Sequence, residues 1–205
     1  MRSSQQHIIE SVNGWLADGQ PIWVCTILKT WGSSPRPIGA MLACNSAGEL
    51  VGSLSGGCIE EDFLEQLRDG SLKARYDAEG GPFVIEYGVT EAEQARLKLP
   101  CGGQLHVLLE YVEPSPENRG VFAALVQALK SHSKVSRRVD LVTGALSVYS
   151  LEASSVADEE ETAEAASESG AAPVELDEGS NRLGECRVDL IDTPGGRCDS
   201  AELSK

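Results

Sequence analysis

No stretch of this 205-residue chain approaches the roughly 18 consecutive apolar residues of a membrane span. Its first residues, MRSSQQHIIE, carry neither an apolar signal core nor a small-residue cleavage site, so a cytoplasmic location is expected. Basic residues are scarce: 17 Lys and Arg stand against 32 Asp and Glu, a formal net charge of −15. Nucleic-acid backbones are gripped by clustered cations, so a free nucleic-acid surface is not expected. No two of the six cysteines (Cys25, Cys44, Cys58, Cys101, Cys186 and Cys198) have C-x-x-C spacing, which argues against a zinc ribbon or a thioredoxin-type centre. Nothing marks secretion, and cytosolic thiols stay reduced, so the six read as thiols. Also missing are a G-x-x-x-x-G-K-[ST] loop, a G-x-G-x-x-G turn, an H-E-x-x-H helix and a Ser-His-Asp arrangement.

What is present is ordinary for a globular protein: 41% hydrophobic and 24% charged residues, in a length that suits one domain or two small ones. The negative charge is unevenly spread. Ten acidic residues and no Lys or Arg lie between Glu152 and Glu178, which leaves −5 for the rest. A Glu, Ala and Ser composition without aromatics cannot bury enough apolar surface to order itself. The expected organisation is a domain over 1–151, a disordered acidic linker over 152–180, and a tail over 181–205 with one possible strand in CRVDLIDTPGG.

Ile8, Ile9, Val12, Trp15 and Leu16 recur at helical spacing. IWVCTILKTW, rich in β-branched and aromatic residues, reads as a buried strand, with Trp31 in the core. AMLACNSAGELVGSLS reads as a hairpin turning at Asn45–Gly48. A helix starts near Cys58, with Ile59, Phe63, Leu64 and Leu67 on one face and Glu60, Glu61 and Asp62 in a first turn whose dipole favours them. KARYD, PFVIEYG and GGQLHVLLEYV read as strands, and TEAEQARLKLP as a short helix or loop. Ser115 and Pro116 start another helix, and RRVDLVTGALSVYS closes a hairpin around Thr143–Gly144. The fold expected is α+β, with a mixed, largely antiparallel sheet and a few packed helices.

Three stretches are candidates for chemistry. GSLSGGCIEED, from Gly52, puts a cysteine where a glycine-rich turn becomes a helix. Backbone N–H groups in such a turn, with those of the helix start, make an anion site, and a thiol there gains thiolate character. The same stretch also reads as a strand-to-helix connection with a small buried cysteine. LPCGGQ puts Cys101 before a second glycine pair at a strand entrance. In TWGSSPRPIGA, Arg36 stands between two prolines, a stiff mount for a guanidinium suited to phosphate or carboxylate, and Ser33 and Ser34 offer hydroxyls. His106 lies mid-strand and is assigned no role, while His7 and His132 read as surface residues.

Together TWGSSPRPIGAMLACNSAGELVGSLSGGCIEEDFLEQL and YGVTEAEQARLKLPCGGQLHVLLE resemble the XdhC/CoxI family, over roughly Ile8 to Tyr149, its N-terminal domain. The motif positions are Ser33, Ser34, Pro35, Arg36, Gly39, Ser55, Gly56, Gly57, Cys58, Glu60, Cys101, Gly102 and Gly103. The resemblance implies a chaperone that binds molybdenum cofactor, in molybdopterin or dinucleotide form, and supports its sulfuration by a cysteine desulfurase. The chaperone then delivers the cofactor to an apo molybdenum hydroxylase such as xanthine dehydrogenase. It implies an accessory factor rather than an enzyme with turnover, expected to work as a homodimer. Backbone N–H groups and Arg36 would take the phosphate, and Cys58 or Cys101 would sit near the molybdenum or its terminal sulfur, because soft ligands suit such a centre. Longer members add a Rossmann-like domain with its own glycine-rich turn, a signature absent from this sequence. Two other readings stand beside this one: a thiol-dependent enzyme acting on the cofactor or a nucleotide through Cys58, and a pure protein-interaction module.

Overall fold

The computed structural model describes residues 4–32, 36–97 and 103–150, and the backbone of 185–190 and 201–204. The expected linker over 152–180, and the candidate residues Ser33, Ser34, Cys101 and Gly102, lie outside the described residues.

A five-stranded sheet organises the domain. It contains β1 (Ile22–Trp31), β2 (Met41–Asn45), β3 (Leu50–Gly52), β4 (Phe83–Tyr87) and β5 (Gln104–Val112), in the order β3-β2-β1-β5-β4. Every pairing is antiparallel, as expected for an α+β fold. Successive side chains of a strand point to opposite faces, and both faces of this sheet are buried. Ile22, Val24 and Leu28 of β1 join one core, while Trp23, Cys25 and Ile27 join the other.

Helices cover both faces. On the first, Ile8, Ile9, Val12 and Leu16 of α1 (Ser4–Ala17) pack with Phe122, Leu125, Val126 and Leu129 of α5 (Pro116–Lys130). Ser115 caps α5 as expected, its hydroxyl accepting from the Asn118 N–H at 3.2 Å. On the second face, Ile59 and Phe63 of α2 (Cys58–Arg68) and Leu72 of α3 (Ser71–Glu79) lie over the sheet. Burying a side chain as large as Phe63 stabilises by about 1.5–3 kcal/mol, so this apolar stripe docks α2 firmly.

A second sheet, ordered β7-β6-β8-β9, combines β6 (Val135–Asp140), β7 (Leu146–Ser150), β8 (Glu185–Leu190) and β9 (Ala201–Ser204). Val135 and Val139 of β6 enter the same core as α1 and α5. The two sheets are also joined by an ion pair. Arg137 of β6 donates to both oxygens of Glu110 of β5, at 2.6 and 2.9 Å, with side chains 0% and 2% exposed.

The structure corrects three expectations. KARYD is helical, inside α3: Gly70 (φ 80°) and Gly80 (φ 75°) bracket it, and Lys73–Asp77 and Arg75–Glu79 pair at i,i+4. Trp31 is not in the core but 37% exposed at the end of β1. The tail contributes two strands, β8 paired to β6 and β9 paired to β8, where one was expected.

Candidate functional site

Strand register decides where the motifs meet. Trp31 at the end of β1 pairs with Gln104 at the start of β5. Tyr87 at the end of β4 pairs with Leu105, and Met41 at the start of β2 pairs with Thr26 of β1. Gly52, the last residue of β3, pairs with Leu42. The β1–β2 loop with Arg36, the β3–α2 turn with Cys58, and Gly103 before β5 therefore all open at one end of the sheet. Antiparallel pairing thus puts three separate segments at the same end of one sheet.

The β3–α2 turn is built tightly. Gly52 has φ 89°, and a Cβ there would stand 2.2 Å from the Met41 carbonyl oxygen and 2.8 Å from Ile8 Cδ1. Beyond it the chain wraps around one carboxylate. Glu60 Oε1 accepts from the Ser53 hydroxyl at 2.7 Å and from the N–H groups of Leu54, Ser55 and Gly56 at 2.8, 3.0 and 3.2 Å. Glu60 Oε2 accepts from the Ser55 hydroxyl and, at 2.9 Å, from the Gly57 N–H. The Ser55 hydroxyl also accepts from the Ile59 N–H at 3.0 Å, closing the start of α2. Burial raises the Glu60 carboxyl, but the bonds from Ser55 and Ser53 outweigh it and hold the group well below its ordinary range.

This geometry revises how the turn works. The sequence suggested that its N–H groups face a ligand anion. Instead, the N–H groups from Leu54 to Gly57 already serve Glu60, so Ser55, Gly56 and Gly57 have no open row of donors for a phosphate. Glu60 matched a motif position but was read only as a residue suited to the helix dipole. The signal lay in its spacing: as N3 of α2 it stands where a carboxylate reaches back to the N-cap N–H, here that of Gly57.

Cys58 occupies the first position of α2 and is half-buried. Cys25 and Cys44 are fully buried in the sheet. Burial raises the Cys25 thiol well above its ordinary value, with smaller contributions from Cys44 and Glu110, and raises Cys44 to about 11. Both are structural thiols. Arg36 is half-buried. Gly39 is buried, and its N–H donates to the Ile27 carbonyl at 2.8 Å, so it returns the loop to the sheet rather than offering that N–H outward. Gly103 is half-buried just before β5.

Two neighbouring features were not foreseen. The Trp31 and His106 ring centroids are 4.5 Å apart, and Lys29 Nζ lies 4.7 Å from the Trp31 centroid. Burial lowers the His106 pKa, against the pull of Glu86 and with the push of Lys29. Asp62, one turn after Cys58, accepts from Gln66 at 2.6 Å and from Arg96 of α4 (Glu91–Arg96). That pair ties α4 to α2. A cleft of about 500 Å³ lies beside β4, lined by residues including Gln66, Arg75, Glu86, Glu93 and Arg96. Among the described residues, no group of three or more His, Cys, Asp and Glu side chains could hold a metal ion, and no helix is long and apolar enough to cross a membrane.

Comparison with known proteins bears on these motifs. The XdhC and CoxI family matches residues 15–88, from the end of α1 through β4, with Arg36, Gly39 and the whole Glu60-centred turn inside the match. The molybdenum cofactor insertion chaperone PaoD of Escherichia coli (strain K12) is 25% identical over 129 residues, covering 61% of this chain and 36% of its own. A crystal structure described as a xanthine dehydrogenase from Bacillus halodurans matches with a TM-score of 0.51 at 29% identity, covering 70% of this chain and 40% of that one. The chain thus spans little more than a third of the length of the curated relative.

Proposed function

We propose, for a chain whose residues 15–88 match the XdhC and CoxI family, a role as a chaperone that binds molybdenum cofactor as cargo and inserts it into an apo molybdenum hydroxylase. The observation that carries this reading is the convergence of the Arg36 loop, the Cys58 turn and Gly103 at one end of the sheet. The PaoD likeness supports the same reading. The cargo joins a phosphate or dinucleotide arm to a thiophilic metal held by a dithiolene. A half-buried thiol and a half-buried guanidinium opening at the same end of the sheet suit both parts, because thiolates are soft donors and guanidinium groups grip phosphate bidentately.

In this reading Cys58 and Cys101 approach the molybdenum or its terminal sulfur, and Arg36 takes the phosphate. Ser33, Ser34, Gly102 and Gly103 complete the contacts. The turn from Ser55 to Gly57 shapes the pocket and does not donate its N–H groups to the phosphate. Sulfuration by a cysteine desulfurase precedes delivery to a hydroxylase of the xanthine dehydrogenase class, and two copies of the chain work as a dimer. Holding such cargo needs a shaped pocket and soft ligands, not a general acid and base.

An anaerobic titration of the reduced protein with molybdenum cofactor tests the reading. Wild type should bind stoichiometrically, and Cys58→Ala and Cys101→Ala should bind more weakly. Full binding and full hydroxylase activation by Cys58→Ala would remove the main assignment. No binding by wild type would remove the chaperone reading for this chain alone.

A further inference from the structure

The head of α2 contains a nest for an anion, and the chain supplies the anion itself. Four consecutive N–H groups, Leu54 to Gly57, converge on one carboxylate together with the hydroxyls of Ser53 and Ser55. Gly56 at φ 88° and Gly57 at φ 150° make that convergence possible. A Cβ built on either glycine meets nothing within 4 Å. The turn therefore presents its Cα face to open space and its donors to Glu60. Cys58 follows directly, so its backbone position depends on how this turn is held.

From this geometry we infer that Glu60 is the positioning residue of the site: its carboxylate is the turn's internal anion, fixing Cys58 at the start of α2 and closing the N–H groups to phosphate-bearing ligands. The part that concerns cargo rests on the proposed function, whereas the filling of the nest does not. Cargo is then selected by the thiol and by Arg36, and an anion alone finds no purchase on the turn. Neither glutamine nor aspartate substitutes fully. Glutamine turns an N–H₂ group toward donors, and aspartate is one methylene too short to reach them all.

Glu60→Ala vacates a space the size of a carboxylate, lined by the same donors. The test uses the full chain, labelled for amide NMR, titrated separately with sodium formate and inorganic phosphate. In wild type the amides of Leu54, Ser55, Gly56 and Gly57 should respond to neither. In Glu60→Ala they should shift saturably with formate. The variant should also bind molybdenum cofactor about tenfold more weakly or worse, as expected for lost charge-assisted bonds, and formate should restore part of that loss. A wild-type turn that responds to phosphate would overturn the inference, as would a folded Glu60→Ala whose four amides ignore formate. If Glu60→Ala does not fold, Glu60→Gln decides: hydrogen exchange at Ser55 and Gly57 should quicken about tenfold, and unchanged exchange would overturn the inference. Failure of wild type to bind cofactor would count against the proposed function only, because the amide shifts report on the nest itself.

Discussion

Replacing Gly52 by alanine should cost far more than the same change at Gly48, although both residues have nearly the same backbone angle. Their φ values are 89° and 83°, so both substitutions put an L-residue in the left-handed region, at about 1–2 kcal/mol. The difference is crowding. At Gly48, in the β2–β3 turn, a Cβ meets nothing within 4 Å. At Gly52 it would lie 2.2 Å from the Met41 carbonyl oxygen, 2.8 Å from Ile8 Cδ1 and 3.1 Å from Leu42 Cα. Two of those atoms are backbone of β2, so β3 itself must move away from its partner. Overpacking of that kind adds about 1–3 kcal/mol. Gly52→Ala should therefore destabilise by about 2–5 kcal/mol and Gly48→Ala by about 1–2 kcal/mol. Urea titrations of both variants and wild type, with the slope checked for two-state behaviour, give the comparison. Equal midpoints for the two variants would refute the account of β3 lying directly on β2 and α1.

Three further outcomes follow from charges and thiols. Glu60 has a carboxyl depressed by its hydrogen bonds, so its stabilisation is complete above its ordinary value of 4.5 and is lost as pH falls through that value toward the depressed one; acid titrations should show a shallower loss of stability below pH 5 in Glu60→Gln, and parallel curves would contradict this. Arg137→Met should cost about 3–5 kcal/mol by stranding the Glu110 carboxylate in the core, while Glu110→Met/Arg137→Met together should cost less; a double variant less stable than Arg137→Met would argue against the isolated-charge explanation. Under native conditions iodoacetamide should label Cys58 while sparing Cys25 and Cys44, whose thiols burial raises, as read by mass spectrometry with and without urea; native labelling of Cys25 at its unfolded rate would refute its burial.

Much of this architecture was legible because its signals were local. The α1 stripe of Ile8, Ile9, Val12 and Leu16 and the Ser115–Pro116 start of α5 each declare themselves within a few residues. The β2–β3 hairpin around Asn45 does so too: Asn45 Oδ1 accepts from the N–H groups of Ala47 and Glu49 at 3.0 and 2.9 Å. What misled was composition without spacing. KARYD has a tyrosine and few helix breakers, and only its i,i+4 pairs between Gly70 and Gly80 mark it as a helix. Trp31 lies in an apolar run whose last three residues pass beyond the helical cover, so its exposure depends on where α1 and α5 stop. That boundary is tertiary and no window of sequence contains it.

The glycine-rich turn shows the same limit in the chemistry. A glycine pair before a helix promises donors, and a thiol beside it promises reactivity; both follow from residue types. Which anion the donors serve does not. It depends on whether an acceptor in the chain can reach them at a lower entropic cost than a ligand bound from solution. A glutamate three residues into the following helix can, because the helix itself holds the carboxylate in place once the first turn forms. Ser53 and Ser55 then add two hydroxyl donors that a bare phosphate nest would not need. The stretch SLSGGCIE is thus better understood as a self-satisfied mount than as a receptor. Its serines and glutamate support the backbone, and its glycines permit the curvature.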